Sequence, residues 1–192
     1  MGTSFSWIKI NAIIWTIWGF YWLIRYADVN RNKSVESFYS RALHLIPTVL
    51  VFFGFFSDVL NFSFFAIRIL PDNNLIGITG NIFTVLSACF AVWARIELGR
   101  FWSASITLKE GHRLIRSGPY HYARHPIYTG LIFGLLGTAL IIGKVFGFIL
   151  VILTLGVYIR KIRNEETLMT AQFGNEYLNF KKETKAIIPY LL

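Results

Sequence analysis

Cysteine is all but missing from this chain: Cys89 stands alone among 192 residues. One thiol excludes an internal disulfide and a multi-cysteine metal cage. Its place within an apolar run reads as that of a small buried hydrophobe rather than a redox centre. Acid is scarce as well, with 10 Asp and Glu against 19 Lys and Arg and a net charge of +9. Glycine is present 15 times, yet never in the GxGxxG spacing that follows a strand, and no alternating strand pattern exists to carry one. Any nucleotide-like ligand must therefore be held without a Rossmann sheet. The N-terminus lacks an early basic region and a small-residue cleavage site, so its apolar run is expected to stay as a membrane helix. Internal repeats and low-complexity linkers are missing too.

What fills the chain is apolar. Hydrophobic residues make up 55% and aromatics 17%, Phe alone numbering 18, and the mean hydropathy is +0.53. A soluble domain has an apolar share of about 45–50% even with glycine counted, so the composition is that of a membrane protein. Apolar runs cover about Phe5 to Ile24, Ala42 to Leu60 and Leu75 to Ala94. Each is close to the ~20 residues that cross a bilayer. Two shorter runs follow, Ile127 to Ile142 and Val145 to Ile159, divided by Gly143-Lys144, which reads as the tip of a tight helical hairpin. Pro71-Asp72-Asn73-Asn74 marks a turn. The pattern predicts an all-α polytopic membrane protein with five helices, a C-terminal hairpin and an amphipathic tail from Arg160 onward, ended or bent at Gly174.

With five spans, all 19 Lys and Arg except Lys9, Arg68 and Lys144 fall on one side. This asymmetry predicts a cytoplasmic C-terminus and an outer N-terminus. It also assigns the basic residues to anionic lipid headgroups and topology, not to nucleic acid. The polar loop before the hairpin and the C-terminal tail share a compartment and can meet. Two regions are expected: residues 1–97 with the first three helices, and 98–192 with the functional core.

That loop is the most informative stretch: Ser117-Gly118-Pro119-Tyr120-His121-Tyr122-Ala123-Arg124-His125-Pro126-Ile127-Tyr128-Thr129-Gly130. Gly118 permits a tight turn ahead of Pro119, and Pro126 pushes His125 out of helical geometry. Histidines, tyrosines and an arginine thus gather where the chain should be entering lipid, as a ligand site requires and a plain anchor does not. His121 and His125 have i, i+4 spacing, but Pro126 breaks the helix that would align them, and no carboxylate or thiol lies nearby as a third zinc ligand. Lys161 and Glu165 are also four apart and share a helical face. By itself this is an exposed ion pair. Emerging from the hairpin that starts at the His-Pro loop, it instead presents a carboxylate for a ribose or amine, with Lys161 and Arg163 available to an anion.

The order GPYHYARHPIYTG, an apolar hairpin, Glu165-Glu166, then FGNEYLNF and IIP, from about Leu98 to Pro189, resembles the isoprenylcysteine carboxyl methyltransferase family. That family is one of a wider set of integral-membrane methyltransferases that includes the phospholipid N-methyltransferases. The resemblance implies S-adenosyl-L-methionine as cofactor, held in a helical membrane core, and a lipid or prenylated substrate. Carried over by position, the cofactor contacts fall on His112, Arg113, Leu114, Ile115, Tyr120, His125, Pro126, Ile127 and Tyr128, with Glu165 as the cofactor-binding acid. Where the family has an arginine on the substrate side, this chain has Lys161, which lacks arginine's bidentate fork. Lys161, Arg163 and Arg124 are the cations available to orient a substrate.

Such chemistry suits these residue types. A carboxylate is ionised at neutral pH, so its methylation needs no general base, only desolvation and in-line alignment with a sulfonium methyl. The faces of Tyr120 and Tyr128 can favour such a cation by about 0.5–2 kcal/mol each. Other classes stay open from sequence: a phospholipid amino-group methyltransferase, in which Glu165 or Glu166 would be the base, a sterol-type NADPH reductase, and a lipid-binding scaffold.

Overall fold

The structure, a computed structural model, describes residues 3–26, 37–103, 111 and 113–188. Its helices are α1 (Thr3–Arg25), α2 (Phe38–Phe56), α3 (Asn74–Leu98), α4 (Pro126–Ile142), α5 (Val145–Phe173) and α6 (Asn175–Glu183). Among the described residues the only β pairing is two isolated bridges, Arg68 with Lys144 and Ala123 with Lys185. The all-α membrane reading holds. Four helices are long and apolar enough to cross a membrane, and α4, with 17 residues, is a shorter apolar fifth. Outward-facing Ile13, Ile17 and Leu23 of α1, Val49 and Phe53 of α2 and Ile152 of α5 are all more than half exposed, the surface that a lipid environment covers.

Local signals set the helix ends. Asn73 caps α3 by accepting from the Ile76 amide at 2.9 Å, the Asn-cap role that the turn sequence foreshadows. Gly143 closes α4 in the left-handed region at φ 64°, where glycine escapes the Cβ penalty, and α5 starts two residues later. Gly174 ends α5 at φ 54°. Pro47 sits inside α2 without breaking it. The sequence reading stopped the fifth span at Ile159, whereas α5 runs unbroken through the cationic and acidic cluster to Phe173. Composition changes there; backbone geometry does not.

The core lies where the α4–α5 hairpin meets the earlier helices, with Leu131, Leu135, Ile142 and Phe146 packed on Trp15 of α1 and Val51 and Phe55 of α2. Helices α3 and α4 approach to backbone contact. A Cβ on Gly80 would lie 2.7 Å from the Gly137 carbonyl oxygen, and one on Gly137 would lie 2.6 Å from that of Gly80. Small residues at such crossings allow dense packing where no hydrophobic drive exists between helices. Cys89 departs from its expectation: it is on the exposed face of α3 as a free thiol, because the buried stripe of that helix passes through Thr84, Ser87, Ala88 and Ala91.

Polar glue joins the first helix to this pair. Fully buried Asn11 donates to Asn81 Oδ1 at 3.2 Å and Thr84 Oγ1 at 3.0 Å, and accepts from Thr138 Oγ1 at 2.8 Å. Trp15 Nε1 in turn donates to Thr138 Oγ1 at 2.9 Å. The network fixes the rotation of α1 against α3 and α4, since a buried amide left unpaired is costly in an apolar medium.

Candidate active site

The His-Pro loop is shaped by its own residues and then fastened by the tail. Gly118 takes φ 56°, Pro119 begins a single 3-10 turn over Gly118–His121, and buried Tyr120 points inward. His125 adopts φ −124° and ψ 58°, outside the helical region, and Pro126 opens α4 as its first residue, a position where the missing amide is harmless. The segment after α6 then runs alongside. The Arg124 amide donates to Lys185 O and the His125 amide to Ala186 O, each at 2.9 Å, and Thr129 Oγ1 donates to Ile187 O at 2.7 Å. Loop and tail do meet.

Their side chains lock the junction. Arg124 Nε lies 2.7 Å from Glu166 Oε1, and Lys181 Nζ lies 2.7 Å from Glu166 Oε2. Arg124 also donates to the carbonyls of Thr184 and Lys181. Its guanidinium, considered from sequence as a substrate-orienting cation, is thus engaged by Glu166 and the tail. Buried His125 stands between the two acids, 3.5 Å from Glu165 through Nδ1 and 3.4 Å from Glu166 through Nε2. Burial works against its charge, but the hydrogen bonds and negative charges of Glu165 and Glu166 outweigh that and raise its pKa above the ordinary histidine value. Burial also raises the Tyr120 phenol, with Glu165 and Glu97 adding to the effect and Arg95 opposing it, so Tyr120 is neutral.

Glu165 faces a different way from its neighbour. It accepts a hydrogen bond from the Tyr128 hydroxyl at 2.6 Å, while Lys161 Nζ stays at 4.0 Å. The lysine is no exposed partner. Its side chain is 5% exposed, and its ammonium lies 5.2 Å from the Tyr128 ring centre and 5.9 Å from that of Tyr158. Two aromatic faces offset part of the cost of burying that charge.

Glu165 opens into a cleft of about 850 Å³ when the open solvent around its mouth is included. One wall is Leu114, Ile115, Tyr120, Arg124, His125, Ile127 and Tyr128; the other is Leu168 and Met169 of α5 with Tyr177 and Phe180 of α6. Leu98, Phe101, Trp102 and Ser103 complete it. Of the residues singled out from sequence, Arg113 and Arg163 are exposed and Pro126 is buried in the helix start, none of them on the wall. Lys161 lies behind Tyr128, and His112 falls outside the described residues. Sequence reasoning missed Trp102, which packs on Trp22 and under the Arg95 guanidinium at 4.8 Å. It also missed the Tyr177 and Phe180 pair, whose i, i+3 spacing in FGNEYLNF was the available signal.

Comparison with known proteins bears on this same region. Residues 80–171 match the isoprenylcysteine carboxyl methyltransferase (ICMT) family. The match takes in just under half of the chain. It takes in α3 from Gly80 onward, the His-Pro loop, the hairpin and Glu165-Glu166, beginning before and ending before the stretch that resembled the family by motif. The chain is 30% identical over 101 residues to the protein-S-isoprenylcysteine O-methyltransferase of Schizosaccharomyces pombe, covering 51% of this chain and 43% of that protein. With the Saccharomyces cerevisiae protein of the same name it is 26% identical over 166 residues, covering 85% and 66%. A Bacillus subtilis protein, YpbQ, is 28% identical over 109 residues, covering 56% and 61%. The chain therefore spans less than two thirds of the length of each of these relatives. The matched segment contributes both walls of the cleft except Tyr177 and Phe180, which come from α6 beyond it.

Proposed function

We propose that the chain is an integral-membrane methyltransferase that uses S-adenosyl-L-methionine and esterifies a carboxylate on a lipid-like acceptor of the isoprenylcysteine type, with its cleft and C-terminus cytoplasmic. The observation that carries this reading is the pairing of an accessible carboxylate, Glu165 on the cleft wall, with a buried cation, Lys161, directly behind Tyr128.

The residues suit the cofactor. Leu114, Ile115, Ile127, Leu168 and Phe180 supply apolar surface for a flat adenine, and Glu165 is an acceptor for ribose hydroxyls or an ammonium. When bound, the cofactor supplies a methyl group on a sulfonium. Tyr120 and Tyr128 present neutral aromatic faces to a cation, and the α6 wall shields the cleft from water. Lys161 lies one ring behind the wall, and its charge favours an acceptor carboxylate over a cation on the far side of Tyr128. An ionised carboxylate requires no proton removal, so no base is called for. Glu166 is consistent with that, because Arg124 and Lys181 already occupy both of its oxygens. A buried cation at position 161 also repels an ammonium acceptor, which weighs against amino-group methylation.

The test uses the bond formed. Purified protein is given cofactor labelled in the methyl group and either a farnesylcysteine-type carboxylate or phosphatidylethanolamine. An ester releases labelled methanol in mild alkali, whereas an N-methyl group does not. Alkali-stable label on the amine lipid, with none on the carboxylate, would reverse the assignment.

A further inference from the structure

The end of the molecule opposite the cleft is almost free of positive charge, with only Lys9, Arg68 and Lys144 there among the described residues. All three line one groove. Cations are depleted on one face of a membrane protein by topology, so the convergence of those that remain calls for an explanation. The backbone sets up the closest pair. Residues 67–70 run antiparallel to the hairpin tip, with the Ile69 amide donating to Gly143 O at 2.8 Å and the Val145 amide to Ile67 O at 3.0 Å. Arg68 and Lys144 are opposite one another in that bridge. Like charges directly opposed are destabilising, unless an anion is held between them.

Nearby acids reduce the charge without cancelling it. Asp58 lines the groove, and Asp72 is 3.9 Å from Arg68, so three cations face two acids. Lys144 Nζ donates to Asn61 Oδ1 at 2.6 Å, and Arg68 to Leu70 O at 3.3 Å. The amide of Asn61 and the hydroxyl of Ser57 add neutral donors on the same wall. The remaining lining is apolar and aromatic, Phe55, Phe56 and Phe146 foremost. Phe56 is 39% exposed and ends α2 beside outward-facing Phe53, so the apolar wall continues to the lipid-facing surface.

We propose that this groove binds the phosphodiester headgroup of an anionic membrane phospholipid. The cations and donors take the phosphate oxygens, while the aromatic wall receives the glycerol and upper acyl chain. A soluble anion would use the first set and leave the second without a purpose. The site is separated from the cleft by the length of the α4–α5 hairpin, and it stands whether or not the proposed activity is correct.

Native mass spectrometry of the full chain in mild detergent tests it, with phosphatidylglycerol, phosphatidylcholine and inorganic phosphate as probes. Phosphatidylglycerol should be retained preferentially, and each cation removed should weaken that preference about fivefold. Lys9→Gln is the informative single variant, because Lys9 is exposed and its loss leaves the hairpin bridge intact. The double variant Lys9→Gln/Lys144→Gln should lose more, with helical circular dichroism confirming that it is folded. Equal retention of the two lipids, or undiminished preference in Lys9→Gln, overturns the proposal. Displacement of the lipid by millimolar inorganic phosphate would mark a soluble-anion site and overturn it equally.

Discussion

Substituting Arg124 by Met should unfasten the tail from the His-Pro loop, and its size can be worked from the geometry. Arg124 and Glu166 have side chains 9% and 10% exposed and meet at 2.7 Å. Removing one partner of such a buried pair costs about 3–5 kcal/mol, because the other charge is stranded. Here Lys181 and His125 still reach Glu166, so the low end applies, about 3 kcal/mol. Lys181 touches the same carboxylate at the same distance but is 38% exposed, and solvent screening limits Lys181→Met to under about 1 kcal/mol. Denaturation of the purified protein in detergent, followed by tryptophan fluorescence, measures both. In a chain of this size the difference amounts to a melting shift of roughly 6–12 °C for Arg124→Met against a few degrees for Lys181→Met. Adding Glu166→Leu to Arg124→Met should recover part of the loss, since no buried charge is then left alone. Equal shifts for the two single variants, or a double variant no more stable than Arg124→Met alone, would show that the junction is held by backbone contacts and packing instead.

Four further outcomes are expected. The contacts of His125 with Glu165 and Glu166 raise its folded-state pKa, so their stabilisation is complete below the unfolded value of about 6.5 and is lost as pH rises through the folded value. The melting temperature should fall across that interval, and His125→Gln should flatten the fall. Lys161→Met should reduce acceptor turnover tenfold or more, as roughly 1.4 kcal/mol of lost orientation would, while calorimetry with S-adenosylhomocysteine finds affinity within about twofold of wild type. Gly137→Val drives a side chain into the Gly80 carbonyl and should destabilise by about 1–3 kcal/mol, seen in the same denaturation assay. Asn11→Leu leaves Asn81, Thr84 and Thr138 short of a partner and should cost about 1–2 kcal/mol, with α1 becoming accessible to protease.

What could be read from the chain divides along a physical line. Runs of apolar residues, Gly143, Gly174 and the Asn73 turn act locally, and each placed a helix or its end. The His-Pro loop could be located, because its prolines and glycines restrict the backbone wherever they occur. Non-local contacts were not legible. Nothing in Glu165-Glu166 says that one acid turns to Tyr128 and the other to Arg124, because that division depends on a tail segment returning beside residues 123–125. Helical spacing puts Lys161 on the face of Glu165 as a cation available to an anion, but it gives proximity and not burial. Only the packing of Tyr128 against Tyr158, with ring centres 4.8 Å apart, makes it an interior charge. The Asn11 network was equally hidden, its members being some 70 and 127 positions apart.

The unbroken length of α5 sets a vertical ruler inside the molecule. From Val145 at the hairpin tip to Glu165 the helix climbs 20 residues, about 30 Å at 1.5 Å each, which matches the thickness of a bilayer's hydrocarbon core. Lys161, four residues lower, lies about 6 Å closer to the hairpin tip along the helix. An acceptor drawn from the bilayer would thus be sorted by how far its reactive end stands above its anchor. Hydrocarbon tails of suitable length would bring a carboxylate level with Lys161, and shorter or longer ones would leave it stranded below or above. Selectivity among lipids would then be a matter of altitude as much as of shape, and membranes of different thickness would present the same acceptor differently to the same protein.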